Sequence, residues 1–298
     1  MILKYVISDT KYENINQILK QEFHVSTRLQ YKLIKNKHIY LNNKIIDTRS
    51  SVSINDIITV DLDFDEESDN IIATNMQLNI VYEDNCFLIL NKPAGIAVHP
   101  SMKHYNNSIA NGVKFYFEDI GLHKKIRPIN RLDLNTSGLV IFAKNEYVQE
   151  TLSKQMAEKM FQKYYIAIVE GIFEKKIGTI NLPIARKENS IIERCISPMG
   201  QESITDYEVI NEFDSLSVVK CHLQTGRTHQ IRVHMSAIGH PLLGDTLYGT
   251  SSTLISRQAL HSYKISFIHP ITNQNMNFTC ELPDDMNFIQ KNHEYILK

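Results

Sequence analysis

A chain of 298 residues with 43% hydrophobic and 22% charged residues can bury a sizeable core. That excludes a fibrous or disordered protein and leaves room for a large domain plus a small one, or for two of medium size. A formal net charge of −1 and a pI near 6.9 exclude nucleic-acid binding by global basicity, so any such binding must come from local patches. Cys86, Cys195, Cys221 and Cys280 lie far apart, with no Cys-x-x-Cys pair. This argues against a local zinc knuckle or a disulfide scaffold and fits free thiols in a reducing compartment. The start, MILKYVISDTKYEN, has no signal-like apolar core, and no stretch approaches the roughly 18 apolar residues of a membrane span. The expectation is a soluble, cytoplasmic protein.

Residues 1–62 read as one unit. A short alternating strand (Ile2, Tyr5, Ile7) precedes apolar residues at helical spacing, Ile15, Ile18, Leu19 and Phe23. Ser26-Thr27 offers an N-cap for a second helix, RLQYKLIKN, with Leu29, Leu33 and Ile34 as its apolar members. HIYLNNKIID then places two apolar runs around Asn42-Asn43, a tight-hairpin signature. A turn at Asn55-Asp56 leads into a β-branched strand. Arg28, Lys32, Lys35 and Lys37 cluster on and after the second helix, which in isolation reads as a solvated face. Residues 63–76 are acidic, then polar, without periodicity, and read as a linker separating two binding surfaces.

Residues 77–298 are mostly strands broken by turns, with a few helices. Buried strands are expected at Phe87–Leu90 and Leu139–Ala143, with a helix following to about Lys159. KYYIAIVEGIF, ESITDYEVINEF and SLSVVKCHLQT read as further strands. In RTHQIRVHMSAIGHP, Ile231, Met235 and Ile238 repeat at helical spacing, with Thr228 as a cap and Gly239 and Pro241 closing the end. The fold class is α+β: a mixed, largely antiparallel sheet preceded by a small α+β unit.

Four constellations fall at strand edges, where binding and catalytic groups are usually carried: Lys92-Pro93-Ala94-Gly95, Arg131-x-Asp133, Lys163-x-Tyr165 and Thr225-Gly226-Arg227. Each has a bland alternative. Asp133 could merely cap the turn before Asn135-Thr136-Ser137-Gly138, and Tyr165 could be a strand tyrosine with its hydroxyl at the rim. Arg227 at a helix start is placed against the helix dipole, which points to an anionic partner. His229, His234 and His240 crowd one segment, but their spacing does not suit zinc and no nearby Cys or Glu completes a site.

Together EDNCFLILNKPAGIAVHP, RPINRLDLNTSGLVIFAKN, KYYIAIVEG, TDYEV, LQTGRTHQIRVHMSAIGHPLLGDTLYG and RQALHSYKISFIHP resemble the RluA-type RNA pseudouridine synthases over residues 78–285. Residues 12–62 resemble the alpha-L RNA-binding domain that often accompanies them. The resemblance implies an isomerase that turns specific uridines in RNA into pseudouridine without cofactor or metal. It implies Asp133 as the catalytic carboxylate, Arg227 as its paired arginine, and Tyr165 as the ring against the uracil. Arg131 would fill the gap left by the flipped nucleotide, and Lys92, Asn130, Thr228 and Gln230 join it as substrate contacts. The family usually has His where this chain has Asn130. In the alpha-L domain Arg28, Lys32 and Lys35 would face RNA phosphates, whose contacts give sequence-independent affinity. The implied partner is large-subunit rRNA, with tRNA as the alternative, and the implied state a monomer. A non-catalytic rRNA-binding factor is disfavoured because Asp133, Tyr165 and Arg227 are all present. A hydrolytic glycosidase would want two carboxylates flanking the bond.

Overall fold

The computed structural model describes residues 1–46, 50–66 and 70–294, with side chains to residue 289. The first unit comprises β1 (Ile2–Val6), α1 (Ile15–Gln21), α2 (Thr27–Lys35), β2 (Ile39–Leu41), β3 (Lys44–Ile45) and β4 (Ile57–Asp61). Its sheet runs in the order β1-β4-β2-β3, antiparallel throughout. The Ser26 hydroxyl accepts from the Leu29 amide at the start of α2. Asn42 and Asn43 take φ of 49° and 66° in the β2–β3 turn, the left-handed pair that a two-residue hairpin of this twist needs.

The remainder comprises β5 (Ile80–Glu83), β6 (Phe87–Lys92), α3 (Ile109–Asp119), β7 (Arg127–Pro128), β8 (Ser137–Ala143), α4 (Glu146–Ala157), β9 (Gln162–Glu170), β10 (Ile177–Asn181), β11 (Ile184–Arg186) and β12 (Arg194–Ile196). It continues with β13 (Ile204–Phe213), β14 (Leu216–Leu223), α5 (Gln230–Ala237), β15 (Leu260–Ile268), β16 (Asn275–Thr279) and α6 (Asp284–Glu294). Ten strands make one sheet, β10-β13-β14-β9-β15-β8-β6-β5, with β16 on β15 and β7 on β8. Its β15–β8 pairing is parallel and its other pairings are antiparallel. This is the mixed, largely antiparallel sheet expected. No helix among the described residues is long and apolar enough to cross a membrane.

Strand periodicity divides the core. From β6 and β8, Phe87, Ile89, Leu139 and Ile141 join α4 and the first unit in one cluster. Their alternates Leu88, Leu90, Val140 and Phe142 pack with Val113 and Phe117 of α3 and Ile231 and Met235 of α5. In β9, Tyr165, Ala167 and Val169 join the second cluster, while Ile166 and Ile168 face Met286 and Ile289 of α6. Burying each such side chain contributes about 1.5–3 kcal/mol, so both faces of β8 are closed and its loop is held on a rigid base.

The segment expected to be a spacer is docked. Its residues 67–69 lie outside the described ones, but Glu66 and Arg127 form a two-pronged pair at 2.6 Å and 2.6 Å. Asp63 meets Lys124 at 2.9 Å, and the Asn111 amide of α3 donates to Ile72 O at 2.8 Å. Two of the acids that suggest a solvated linker in sequence, Asp63 and Glu66, are thus matched by cations some 60 residues downstream.

Candidate active site

The loop between β7 and β8 carries Asp133, and backbone contacts clamp it from several directions. Asn130 is buried, with its amide donating to Leu139 O and its carbonyl accepting from Ile141 N, each at 3.0 Å. This ties the loop's root to β8. A turn follows, with Thr136 N donating to Asp133 O at 3.1 Å. Lys92, fully buried at the end of β6, donates to Pro93 O, Ile96 O and Leu134 O at 2.9, 2.7 and 3.0 Å. Gly95, at φ 84°, donates its amide to the same Leu134 O at 3.0 Å. Arg257 donates to Asn135 O at 3.1 Å. Gly138 then sits where a Cβ would stand 2.2 Å from Ser262 O, at φ +113°, so β8 approaches β15 as only glycine allows. Burial pushes the Lys92 amine down to about 7, with the charge of Asp133 acting the other way.

So held, the Asp133 carboxylate remains partly exposed and faces α5. Arg232 of α5 sends Nη1 to its Oδ2 at 3.3 Å. The same guanidinium is gripped by Asp245, Nε to Oδ2 at 2.7 Å and Nη2 to Oδ1 at 2.8 Å. Asp245 is 1% exposed and also accepts from the amides of Leu247 and Tyr248. The imidazole Nε2 of His229 stands 3.8 Å from Asp133 Oδ2. Burial pulls His229 below the usual histidine range while Asp133 works against it. Tyr165 of β9 is buried beside this carboxylate. Burial, then the Asp133 charge, pushes its phenol up, so it stays protonated at neutral pH.

Several expected roles shift. Arg227 does not pair with Asp133; it is exposed and its Nε donates to Glu202 O at 3.1 Å. The arginine at the carboxylate is Arg232, in the first turn of α5. Thr228 does not cap this helix, which starts after His229 at φ 58°. Gln230 is 2% exposed, and its amide is consumed by Thr225, Arg227 N, Ile204 O and Thr205. Lys92 and Asn130 likewise spend polar atoms on backbone groups, so these three brace the site, and Asn130 and Gln230 also line its cavity. His229 just before α5, and Arg232 and Ser236 on it, spaced three and four apart, all touch Tyr248. That spacing was the available signal for Arg232.

Asp133, Tyr165, Arg131, Arg227, Thr228 and His229 line one cavity of about 860 Å³, large enough for a nucleotide. Asp133 is its one carboxylate, against Arg131, Lys163, Arg194, Arg227 and Arg232. Burial, then Arg227, lowers the Lys163 amine. A second cavity of about 1080 Å³ lies between the first unit and α4; it has no excess of basic residues and shares no lining residue with the first. There Glu146 of α4 receives Arg28 at 3.3 Å and Lys32 at closer range, whereas Lys35 is exposed. Two of the three residues expected to face RNA thus meet a carboxylate.

The three crowded histidines go separate ways. His234 is held by Thr205 and Leu182 O, and His240 stacks on Phe173. Among the described residues, Asp84, Cys86 and His269 are the group close enough to share an ion. Nδ1 of His269 accepts from the amides of Ile271 and Thr272, so Nε2 carries the proton and donates to Asp84 at 3.1 Å. Burial pushes the Cys86 thiol up to about 12, and the group serves a turn.

Comparison with known proteins gives a consistent result. Residues 86–237 match the family described as RNA pseudouridylate synthase. The chain is 38% identical over 257 residues to an uncharacterized RNA pseudouridine synthase, YjbO, of Bacillus subtilis, covering 86% of this chain and 91% of that protein. It is 36% identical over 251 residues to ribosomal large subunit pseudouridine synthase D of Zymomonas mobilis, covering 79% and 78%. Among solved structures, human RNA pseudouridylate synthase domain containing 1 superposes with a TM-score of 0.58 at 26% identity, covering 69% of this chain and 83% of that one.

Proposed function

The chain belongs to the RNA pseudouridine synthase family and is an isomerase, and from that membership we infer that Asp133 is the catalytic carboxylate acting on uridines of large-subunit rRNA. The observation that carries this reading is one carboxylate fixed among five cations in a nucleotide-sized cavity. Isomerisation breaks the bond from ribose C1′ to uracil N1, turns the base, and joins C1′ to C5, releasing the C5 proton. Nothing is oxidised, and both fragments stay bound throughout. One carboxylate at the sugar suits this better than the flanking pair of a hydrolase. Arg232 aims Asp133 through its hydrogen bond, and the neutral Tyr165 ring stacks the extruded base. Base extrusion costs about a few kcal/mol, and Arg131, exposed at the cavity rim, fills the vacated space. Arg227 and Lys163 take backbone phosphates, as cations on a groove do.

The rRNA assignment is supported by the Zymomonas relative's name and by the first unit, which we take as an alpha-L RNA-binding domain contacting RNA through Lys35 and its neighbours. The four cysteines are free, in keeping with work in a reducing compartment such as the cytoplasm. The test is pseudouridine mapping of total RNA from deletion cells complemented with wild type or Asp133→Asn. rRNA sites that vanish and return only with wild type support the assignment. Sites lost from tRNA instead move the substrate, and no change in either refutes catalysis on those RNAs.

A further inference from the structure

His229 stands at the carboxylate without a part in the reaction scheme. It occupies a left-handed backbone conformation, φ 58° and ψ 20°, and its side chain makes no capping bond to α5. A non-glycine residue held there is strained, and such strain persists where surrounding structure enforces it. Here the enforcing contact is through the ring. Nδ1 lies 2.8 Å from the Tyr248 hydroxyl, and the two rings meet edge to face at 5.6 Å.

Tyr248 is itself fixed. Its oxygen accepts from the backbone amide of Arg194, the first residue of β12, at 2.8 Å. Arg232 lies over its ring at 5.0 Å. The phenol oxygen can still either donate to Nδ1 or accept from it, and we take the tautomer in which the hydroxyl donates to Nδ1 of His229. The ring proton then sits on Nε2, the nitrogen 3.8 Å from Asp133 Oδ2. The charged groups facing this imidazole are Asp133, Arg232, Arg194 and Asp245. Burial keeps the ring neutral at physiological pH, so its Nε2–H is a donor with no net charge to neutralise the carboxylate.

We propose that His229 is a positioning residue for Asp133: its imidazole, locked by Tyr248, presents Nε2–H to the carboxylate and ties the β11–β12 hairpin to the catalytic group. This rests on Asp133 as the catalytic carboxylate. The contact is electrostatic in the free protein and shortens to a hydrogen bond when substrate closes the site. Arg232 supplies charge from one side and His229 direction from the other. The chain Arg194 N, Tyr248 OH, His229, Asp133 also gives the hairpin a direct line to the carboxylate. A nucleotide seated against Arg194 is thereby felt at the sugar-reactive group.

The test uses the full chain on its RNA, with Tyr248→Phe, His229→Asn and the double variant. Phe keeps the ring under Arg232 and removes only the hydroxyl, while Asn tolerates the left-handed backbone and cannot span from Tyr248 to Asp133. The single-turnover rate is expected to fall about tenfold in each, with RNA Kd within twofold of wild type, and the acid limb of the rate profile moves to higher pH. The double variant is expected to be no slower than His229→Asn, since the two act in series. Wild-type rates and pH profile in Tyr248→Phe, or additive losses in the double variant, overturn the proposal. Asp133→Asn runs alongside: if it retains wild-type activity, the reading of Asp133 fails first, and independently of His229.

Discussion

Arg232 and Arg227 offer the sharpest test of the site, because sequence motifs favour one and geometry the other. Arg232 spends two donors on buried Asp245 and a third on Asp133, at 2.7, 2.8 and 3.3 Å. A lysine there has one ammonium and cannot keep the fork; it is expected to stay with Asp245. The hydrogen bond to Asp133 is then lost, and a bond to a charged group is worth about 1.5–3 kcal/mol. If that bond acts in the transition state, the single-turnover rate of Arg232→Lys falls roughly 10- to 150-fold at saturating RNA. Arg227 is exposed and its guanidinium donates to Glu202 O, so Arg227→Ala should weaken RNA affinity and its salt dependence by about one phosphate contact, leaving the saturated rate near wild type. The assay is tritium release from C5-labelled uridine in an rRNA transcript, with denaturant melts to correct for folded fraction. Arg232→Met is a poor substitute, since it strands a charged Asp245 at about 3–5 kcal/mol. A hundredfold rate loss in Arg227→Ala, with Arg232→Lys unaffected, would refute the assignment.

Three further outcomes concern the scaffold. Glu66→Ala leaves Arg127, itself 6% exposed, without its partner and should cost about 3–5 kcal/mol by urea denaturation, most of it recovered in Glu66→Leu/Arg127→Met. Gly138→Ala drives a Cβ to 2.2 Å from Ser262 O and should cost more than about 4 kcal/mol. Gly121→Ala, at φ +71° with nothing within 4 Å, should cost only about 1–2 kcal/mol, and equal losses at the two sites would contradict the close-approach account. His261, bonded to Ser137 and Cys280, is pulled by burial to about 4, below its unfolded value near 6.5. The unfolded chain therefore binds the extra proton between these values. Stability should fall as pH drops from about 6.5 to 4, by at most about 3 kcal/mol. His261→Gln should flatten that slope in melts across the window, and an unchanged slope would assign the acid loss to other groups.

Features written in neighbouring residues are legible from the chain alone. The Asn42-Asn43 hairpin, the Ser26 cap, the buried apolar runs of β6 and β8, and the Asp133 loop entering β8 each depend on spans of a few residues. Turn chemistry and strand period act over that range. The family motifs also delivered Asp133 and Tyr165 to one cavity. Tertiary structure alone decided which polar side chains are spent on the fold and which remain for chemistry. Lys92, Asn130 and Gln230 look like ligands in a motif, yet each is buried and satisfied by backbone or neighbouring groups. Arg232 reaches Asp133 across 99 residues of chain, and Lys32 reaches Glu146 across 114. The acidic segment near Glu66 reads as a spacer until Arg127 is brought against it. Charge type is visible in a sequence, but the energy of a charge depends on its burial and its partner. Both are properties of the packed sheet.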